Sequence, residues 1–126
     1  MRLIYLGSPY NHADETVRAQ RLRIVQDALA FFAISAQNIC IYSPIAHWSG
    51  VATNHALPHG FEFWSQRDFH MIRQSTALWI LTTEGWKDSY GLRQEREFAD
   101  SIKKPTLFVI RDDAGFHVAD TEPEPT

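Results

Sequence analysis

Short apolar runs and longer stretches of helical periodicity alternate along the chain. Apolar runs of strand length that end at Gly, Pro or Ser predict strands, and apolar residues that recur every three or four positions predict helices. The predicted strands are 3–6, Ile39–Tyr42, Ala77–Leu81 and 106–110. The predicted helices are a long one that follows a capping residue at Asp14, then Phe61–Gln74, then 91–103.

The order of these elements, β-α-β-α-β-α-β, indicates how the sheet is built. Strands as apolar as these have no wet face, so they are typical of a mostly parallel sheet that helices cover on both sides. We therefore expect a doubly wound, flavodoxin-like α/β domain with four or five strands. A chain of 126 residues accommodates one such domain, which we assign to residues 1–112. Residues 113–126 are acidic and contain proline, which predicts a flexible tail.

Three connecting segments are candidates for a binding site. Ligands of doubly wound sheets bind beyond the carboxyl ends of the strands, where the direction of winding reverses. The turn 7–12 after the first strand and the segment 82–89 after the third strand are therefore expected to line the site. The segment 45–60 shows no sustained periodicity and is predicted to be a long functional loop.

Composition and charge narrow the classes of partner and compartment. A formal net charge of −3 provides no basic surface for a polymeric nucleic acid. The single Cys40 lies between apolar neighbours, so we expect a buried thiol and no disulfide. No apolar run reaches the about 18 residues of a membrane span, and no leader-like segment precedes the first strand. These features predict a cytoplasmic protein with no membrane partner.

Two carboxylates fall on predicted apolar faces. On the last helix, Glu95 shares a stripe with Leu92, Ala99 and Ile102, and on the middle helix Asp68 is the polar residue of the buried face. Both helices flank the third strand in sequence. Two inward carboxylates at one strand end are typical of an acid and nucleophile pair that acts on glycosidic bonds. The alternative is that each carboxylate belongs to a structural ion pair or lies at the boundary of its stripe.

At these positions the chain resembles the nucleoside 2-deoxyribosyltransferase family, including its branch of 2′-deoxynucleoside 5′-monophosphate N-hydrolases. The resemblance rests on residues 4–8 of the first strand, on Asp68 ahead of the third strand, and on residues 89–91 together with Glu95 and Ala99. Further matches at 42–45, His47 and 85–86 resemble a small uncharacterised subgroup of that family.

The resemblance implies a covalent mechanism without a cofactor. Glu95 matches the nucleophile, which attacks the anomeric carbon of the sugar and holds it as a glycosyl ester. Asp68 matches the acid/base residue that assists departure of the nucleobase, after which water or a second base accepts the sugar. Tyr5 matches a tyrosine that positions the nucleophile, and its hydroxyl would favour the ionised carboxylate.

The resemblance also implies a substrate contact at the first turn and at the start of the last helix. Ser8 and Ser89 match serines that contact the phosphate in the monophosphate branch, and Ser89 would add backbone N–H donors of its helix. That branch continues after the serine with Arg and Gly, whereas this chain continues with Pro9 and Tyr10.

Gly7 belongs to the same turn as these residues, and Gly91 is a position where backbone can approach a ligand.

Family members complete their sites with residues of a neighbouring subunit. A homo-oligomer, dimer or larger, that binds a small nucleoside or nucleotide is therefore implied.

Other side chains in the connecting segments have weaker assignments. His47 is expected at the rim of the pocket, and Trp86 is expected to stack on a base. Four further aromatic residues could also stack on a base, although aromatic residues near a helix start are more often core: Trp48, Phe61, Phe63 and Trp64. His47, His55 and His59 share one segment, but their spacing is unspecific and no metal site is predicted.

Two alternatives to an enzyme remain at the level of the sequence. The first is a non-catalytic module that binds or senses a nucleotide in the same pocket. The second is an interaction protein whose pocket is vestigial.

Overall fold

Five strands form one sheet in the computed structural model, which describes residues 1–124. The strands are β1 (Arg2–Gly7), β2 (Ile39–Tyr42), β3 (Ala77–Leu81), β4 (Thr106–Asp112) and β5 (Gly115–Ala119). The helices are α1 (Glu15–Ser35), α2 (Pro44–Asn54), α3 (Phe61–Gln74) and α4 (Tyr90–Ser101), and a 3₁₀ turn spans Trp86–Asp88.

The strand order is β2-β1-β3-β4-β5. The pairs β1–β2, β1–β3 and β3–β4 are parallel, and β5 runs antiparallel to β4. The chain thus winds outward in one direction from β1 to β2 and in the other direction from β3 onward, so the winding reverses between β1 and β3. The prediction of a doubly wound, flavodoxin-like fold with a mostly parallel sheet is confirmed.

Alternation along β1 assigns its side chains to two separate cores. Ile4 and Leu6 pack with Phe32 of α1 on one face of the sheet. Tyr5 points to the other face and packs with Ile72 of α3 and with Leu92 at the start of α4. Successive side chains of a strand point to opposite faces, so Tyr5 lies on the face that α3 and α4 cover.

The predicted capping residues begin their helices as expected. The Asp14 carboxylate accepts a hydrogen bond from the Thr16 N–H at 2.8 Å and begins α1. The Ser89 hydroxyl accepts one from the Leu92 N–H at 3.2 Å and begins α4. Helix α4 ends before Lys103, which has a left-handed φ of 59°. Ile102 therefore lies beyond the helix and is 38% exposed, not part of its buried stripe.

The prediction of a loop over 45–60 is wrong for its first part, since residues 44–54 form α2. The Ser43 hydroxyl accepts a hydrogen bond from the Ala46 N–H at 3.0 Å, and Pro44 occupies the first turn, where its missing N–H is not needed. The helix escaped the periodicity argument because it buries only Pro44 and Ser49 and so has no continuous apolar stripe.

The predicted flexible tail is also wrong where it overlaps β5. Residues 115–119 pair with β4, and the Phe116 ring packs edge-on against Phe31 at 5.8 Å between centroids. Phe116 is 7% exposed and completes the core on the α1 face. The acidic composition of the segment hid this one apolar anchor. Of the tail prediction, Pro125 and Thr126 lie outside the described residues.

Cys40 is exposed, contrary to the prediction of a buried thiol. Its strand, β2, lies at the edge of the sheet, where one side of the strand stays open to solvent. Among the helices of residues 1–124, none combines the length and apolar character that a membrane crossing requires.

Replacement of Gly50 by Ala should raise the free energy of unfolding by about 0.5–1 kcal/mol, because a helix interior favours Ala over Gly by that amount. Gly50 lies inside α2, and a Cβ at this position would meet no atom within 4 Å. Urea unfolding followed by circular dichroism measures the change. A loss of stability would contradict the helix.

Gly115→Ala is the matched control for that measurement. Gly115 has a φ of +132°, and a Cβ there would lie 2.6 Å from the Phe31 ring. The substitution should lower stability by about 1–3 kcal/mol, since an L side chain rarely adopts this backbone conformation.

Candidate functional site

A cavity of about 730 Å³ opens at the carboxyl ends of β1 and β3, where the winding of the sheet reverses. Its walls come from the β1–α1 turn, α2, the start of α3, the segment after β3 and the first turns of α4. The volume is typical of a pocket for a small organic molecule. The turn 7–12 and the segment 82–89 both contribute to it, as the position of the switch point predicts.

Glu95 is the buried carboxylate of α4 at the floor of this cavity. It is 6% exposed and lies on the same helix face as the buried Leu92 and Ala99. The hydroxyl of Tyr5, which is fully buried, donates a hydrogen bond to the Glu95 carboxyl. A Cβ at Gly7 would lie 3.3 Å from Glu95 Oε1 and 2.8 Å from the Leu92 side chain, so only Gly at the end of β1 lets α4 approach this closely.

Asp68 lies on α3 and lines the same cavity at 9% exposure. Two buried side-chain oxygens of the cavity wall, Asp68 Oδ1 and Ser8 Oγ, have no hydrogen-bond partner among residues 1–124. Buried polar atoms are usually paired. The two oxygens therefore mark the surface of the cavity that a ligand or water would satisfy.

The cavity environment shifts the protonation of these groups. Burial, together with the nearby charge of Asp68, raises the pKa of Glu95 to about 8, although the hydrogen bond from Tyr5 acts in the opposite direction. Burial raises the pKa of Asp68 to about 6, against the effects of the Tyr5 hydroxyl and the Arg67 charge. Burial and the two carboxylates raise the pKa of Tyr5 well above its ordinary value, so its hydroxyl keeps the hydrogen that it donates.

Between about pH 6 and pH 8 the two carboxyl groups therefore share one proton. One protonated and one ionised carboxyl is the combination that an acid and a nucleophile, or an acid and a base, require. The site can both donate a proton and present a negative charge to a bound molecule.

The structure places six of the predicted site residues on the cavity wall, puts Tyr5 and Gly7 next to Glu95 but not on the wall, and leaves three residues out. The predicted residues on the cavity wall are Ser8, Tyr10, Asp68, Ser89, Gly91 and Glu95. Pro9 is buried away from the wall, and His47 is exposed, with its ring edge-on to Trp48 at 4.9 Å. Trp86 packs against Phe108 at 6.0 Å between ring centroids and belongs to the core on the α4 face. None of these three lines the cavity within the described residues.

Aromatic residues that sequence reasoning favoured as core line one wall of the cavity instead. Trp48 of α2 and Trp64 of α3 lie with their ring centroids 5.4 Å apart, and Phe61 continues the wall. The Trp48 Nε1–H donates to the Tyr42 hydroxyl at 3.2 Å and the Trp64 Nε1–H donates to the Pro58 carbonyl at 2.9 Å, which holds both rings in place. No pattern in the sequence separates these rings from core aromatic residues, because the sequence predicts a loop, and not the helix α2, for the segment that carries Trp48.

Arg21 of α1 also lines the cavity and was missed entirely. Its helix carries Arg18, Arg21 and Arg23 close together, and no sequence signal separates the one that turns inward. Of His47, His55 and His59, only His59 lines the cavity. Residues 1–124 contain no group of three or more His, Cys, Asp or Glu side chains placed to hold a metal ion.

Residues 2–110 match the model of a family described as a domain of unknown function, DUF1937. The chain belongs to this family. Every residue that lines the cavity lies inside the matched part of this DUF1937 domain, whereas β5 lies beyond it. A search of curated proteins found no match to the chain.

The DUF1937 domain should lose stability as the pH rises from about 4.5 to about 8. Because burial raises the pKa of Glu95 from 4.5 to about 8, the folded state binds more protons than the unfolded chain in this window. The contribution of Glu95 to the free energy of unfolding is complete below pH 4.5 and is lost as the pH rises through about 8. Within this window the free energy of unfolding should fall by up to about 1.4 kcal/mol per pH unit. Urea unfolding at a series of pH values measures the slope.

Glu95→Gln should flatten this dependence, because the amide does not titrate. Glu97→Gln is the matched control, since Glu97 lies on the exposed face of the same helix. Parallel profiles for Glu95→Gln and the wild type would contradict the assignment of the slope to Glu95.

Proposed function

We propose that this protein cleaves the N-glycosidic bond of a deoxynucleoside or its 5′-monophosphate, by hydrolysis or by transfer of the deoxyribosyl group. The observation that carries the proposal is the meeting of Glu95 and Asp68 in one cavity, with the Tyr5 hydroxyl hydrogen-bonded to Glu95. These are the three residues that match catalytic positions of the nucleoside 2-deoxyribosyltransferase family. DUF1937 is a family of unknown function, so membership in it does not by itself indicate an activity.

The first step would form a covalent intermediate. The ionised Glu95 carboxylate attacks the anomeric carbon, the bond from that carbon to the base nitrogen breaks, and Asp68 donates its proton to the departing base. This requires the shared proton to lie on Asp68. Before a substrate binds, the higher pKa of Glu95 places that proton on Glu95. The proton must therefore pass to Asp68 when the substrate binds, and the hydrogen bond from Tyr5 stabilises the ionised Glu95 that results.

The second step would regenerate the site. Asp68, now ionised, accepts a proton from water or from the N–H of a second base. The freed oxygen or nitrogen attacks the anomeric carbon, and the ester bond to Glu95 breaks. Since the pair holds one proton before and after the cycle, no cofactor or metal ion is needed to balance the reaction.

The walls of the cavity fit a flat heterocycle linked to a sugar. Trp48, Phe61 and Trp64 provide aromatic surface on the α2–α3 side, where a nucleobase could stack. The Asp68 and Glu95 carboxyls and Ser8 line the same cavity. A ligand with a flat apolar end and a polar reactive end therefore matches the distribution of side chains.

The resemblance also implies a homo-oligomer, which stays part of the proposal. Tyr90 supports it, since this residue lines the cavity mouth, is 57% exposed and packs edge-on against Phe61 at 5.6 Å. Light scattering of the purified protein would report a dimer or larger assembly, and a monomer at micromolar concentration would contradict this part.

Glu95→Gln should lower the rate of base release by roughly a thousandfold or more, because the amide is a poor nucleophile of nearly the same shape. The wild type is incubated with a panel of deoxynucleosides and their 5′-monophosphates, and free base is followed by chromatography. Glu97→Gln should retain the wild-type rate. Folded wild-type protein that releases no base from any member of the panel would refute the enzymatic proposal, and thermal stabilisation by the same compounds would then favour a binding module.

Tyr5→Phe should raise the upper limb of the pH profile of base release by about one to two units, and the optimum by about half of that. Loss of a hydrogen bond to a charged group costs about 1.5–3 kcal/mol. Since one pKa unit corresponds to about 1.4 kcal/mol, the pKa of the Glu95 carboxyl should rise by about one to two units. The wild-type profile of kcat/KM is expected to be bell-shaped, with limbs near pH 6 and pH 8. An unchanged optimum in Tyr5→Phe would show that the hydroxyl does not tune the pair.

A further inference from the structure

Arg21 lies in the second turn of α1 and turns its side chain toward the cavity. Its Nη1 donates a hydrogen bond to the Asn11 carbonyl at 2.9 Å, and the residue is half-buried. The bond anchors one nitrogen of the guanidinium to the β1–α1 turn. A guanidinium has five N–H donors, so the others remain to be satisfied.

Gly85, in the segment after β3, leaves space for this guanidinium. Its φ of +91° is in the left-handed region, and a Cβ at this position would overlap Arg21 Nη2. The absence of a side chain at Gly85 therefore lets the guanidinium lie against the segment after β3. Arg21 spans the two segments that enclose the switch point of the sheet, one on each side.

Arg21 has no carboxylate within 4.0 Å among residues 1–124, although several carboxylates line the same cavity. It is also the one Arg or Lys among the described residues of the cavity wall. A half-buried cation without a counter-ion is costly. Four acidic residues line the cavity and would repel an anion: Asp68, Glu84, Asp88 and Glu95. Arg21 is the strong cationic partner that an anion would find there.

The same cavity offers further donors for an anion. Ser8 is 8% exposed as a residue, and its buried hydroxyl has no hydrogen-bond partner among the described residues. The N-terminus of α4, a helix of 12 residues, presents backbone N–H groups that its Ser89 cap does not satisfy, since the cap accepts from Leu92. A phosphate accepts several hydrogen bonds at once and matches this set of donors.

We infer that Arg21 recognises the phosphate of a nucleoside 5′-monophosphate and makes the protein select phosphorylated over free nucleosides. The inference rests on the proposed function for the identity of the nucleoside. In the monophosphate branch an Arg follows the serine of the first turn, whereas here Pro9 and Tyr10 follow Ser8. The inference therefore places the positive charge for the phosphate on α1 instead of on the turn after β1. Arg21 thereby becomes the residue that determines specificity.

Thermal unfolding of the full chain with deoxynucleoside 5′-monophosphates and with the matching deoxynucleosides tests the inference. The wild type should be stabilised at lower concentrations of monophosphate than of nucleoside. Arg21→Gln should weaken monophosphate binding by about 10- to 100-fold, the loss expected for a charge-assisted hydrogen bond, with nucleoside binding unchanged within about twofold. Arg23→Gln is the matched control, because Arg23 lies on the solvent side of the same helix, paired with Asp27 at 3.5 Å.

Gly85→Ala provides a second variant that keeps every charge. Its Cβ should displace the guanidinium and reproduce the selective loss of monophosphate binding. Both variants are also measured without ligand, so that a general loss of stability is separated from a loss of recognition. A merely structural role for Arg21 would lower the unliganded midpoint and weaken nucleoside and monophosphate binding alike.

Base release is followed in the same samples to separate the two proposals. Base release with a monophosphate preference that survives in Arg21→Gln overturns the inference and leaves the proposed function intact. Arg21-dependent binding of monophosphates without base release supports the inference and removes the enzymatic proposal. A wild type that is stabilised equally by both classes of compound, or by neither, overturns the inference.

Discussion

The hydrogen bond from Tyr5 to Glu95 joins the centre of the sheet to the helix that covers it. Both groups are buried, so neither can exchange its partner for water without cost. Tyr5 owes its place to strand alternation, and Glu95 owes its place to the apolar stripe of α4. The close approach of the helix depends in turn on Gly7, whose Cβ would collide with Leu92. The Tyr5–Glu95 hydrogen bond thus depends on three features together: the alternation of side chains along β1, the buried face of α4 and the glycine at position 7.

That contact also moderates the electrostatics of the cavity. Burial is the largest influence on both carboxyl groups, and it raises the pKa of each by favouring the protonated form. The Tyr5 hydroxyl lowers the pKa of both Glu95 and Asp68 against the effect of burial. The pair is left sharing a proton near neutral pH, which is the property that the proposed reaction at a glycosidic carbon requires.

The cavity combines three kinds of wall that come from different parts of the fold. Helices α3 and α4 supply the Asp68 and Glu95 carboxyls, α2 and α3 supply indole and phenyl rings, and α1 supplies the guanidinium of Arg21. Doubly wound sheets make such meetings possible because helices from both faces begin near the same switch point. The membership of the chain in DUF1937 covers this whole region, so the arrangement lies inside the family domain and not in an appended segment.

Local patterns were sufficient for the strands of the parallel sheet, for three helices and for the inward direction of Glu95 and Asp68, because each of these follows from periodicity and capping within one element. They failed for α2, which has little buried apolar surface, and for β5, whose single anchor Phe116 sits among acidic residues. Which polar residues share a cavity depends on contacts between elements far apart in sequence. Arg21 and Gly85 meet only once α1 and β3 have packed on a common sheet, so no pattern within either segment could predict their contact.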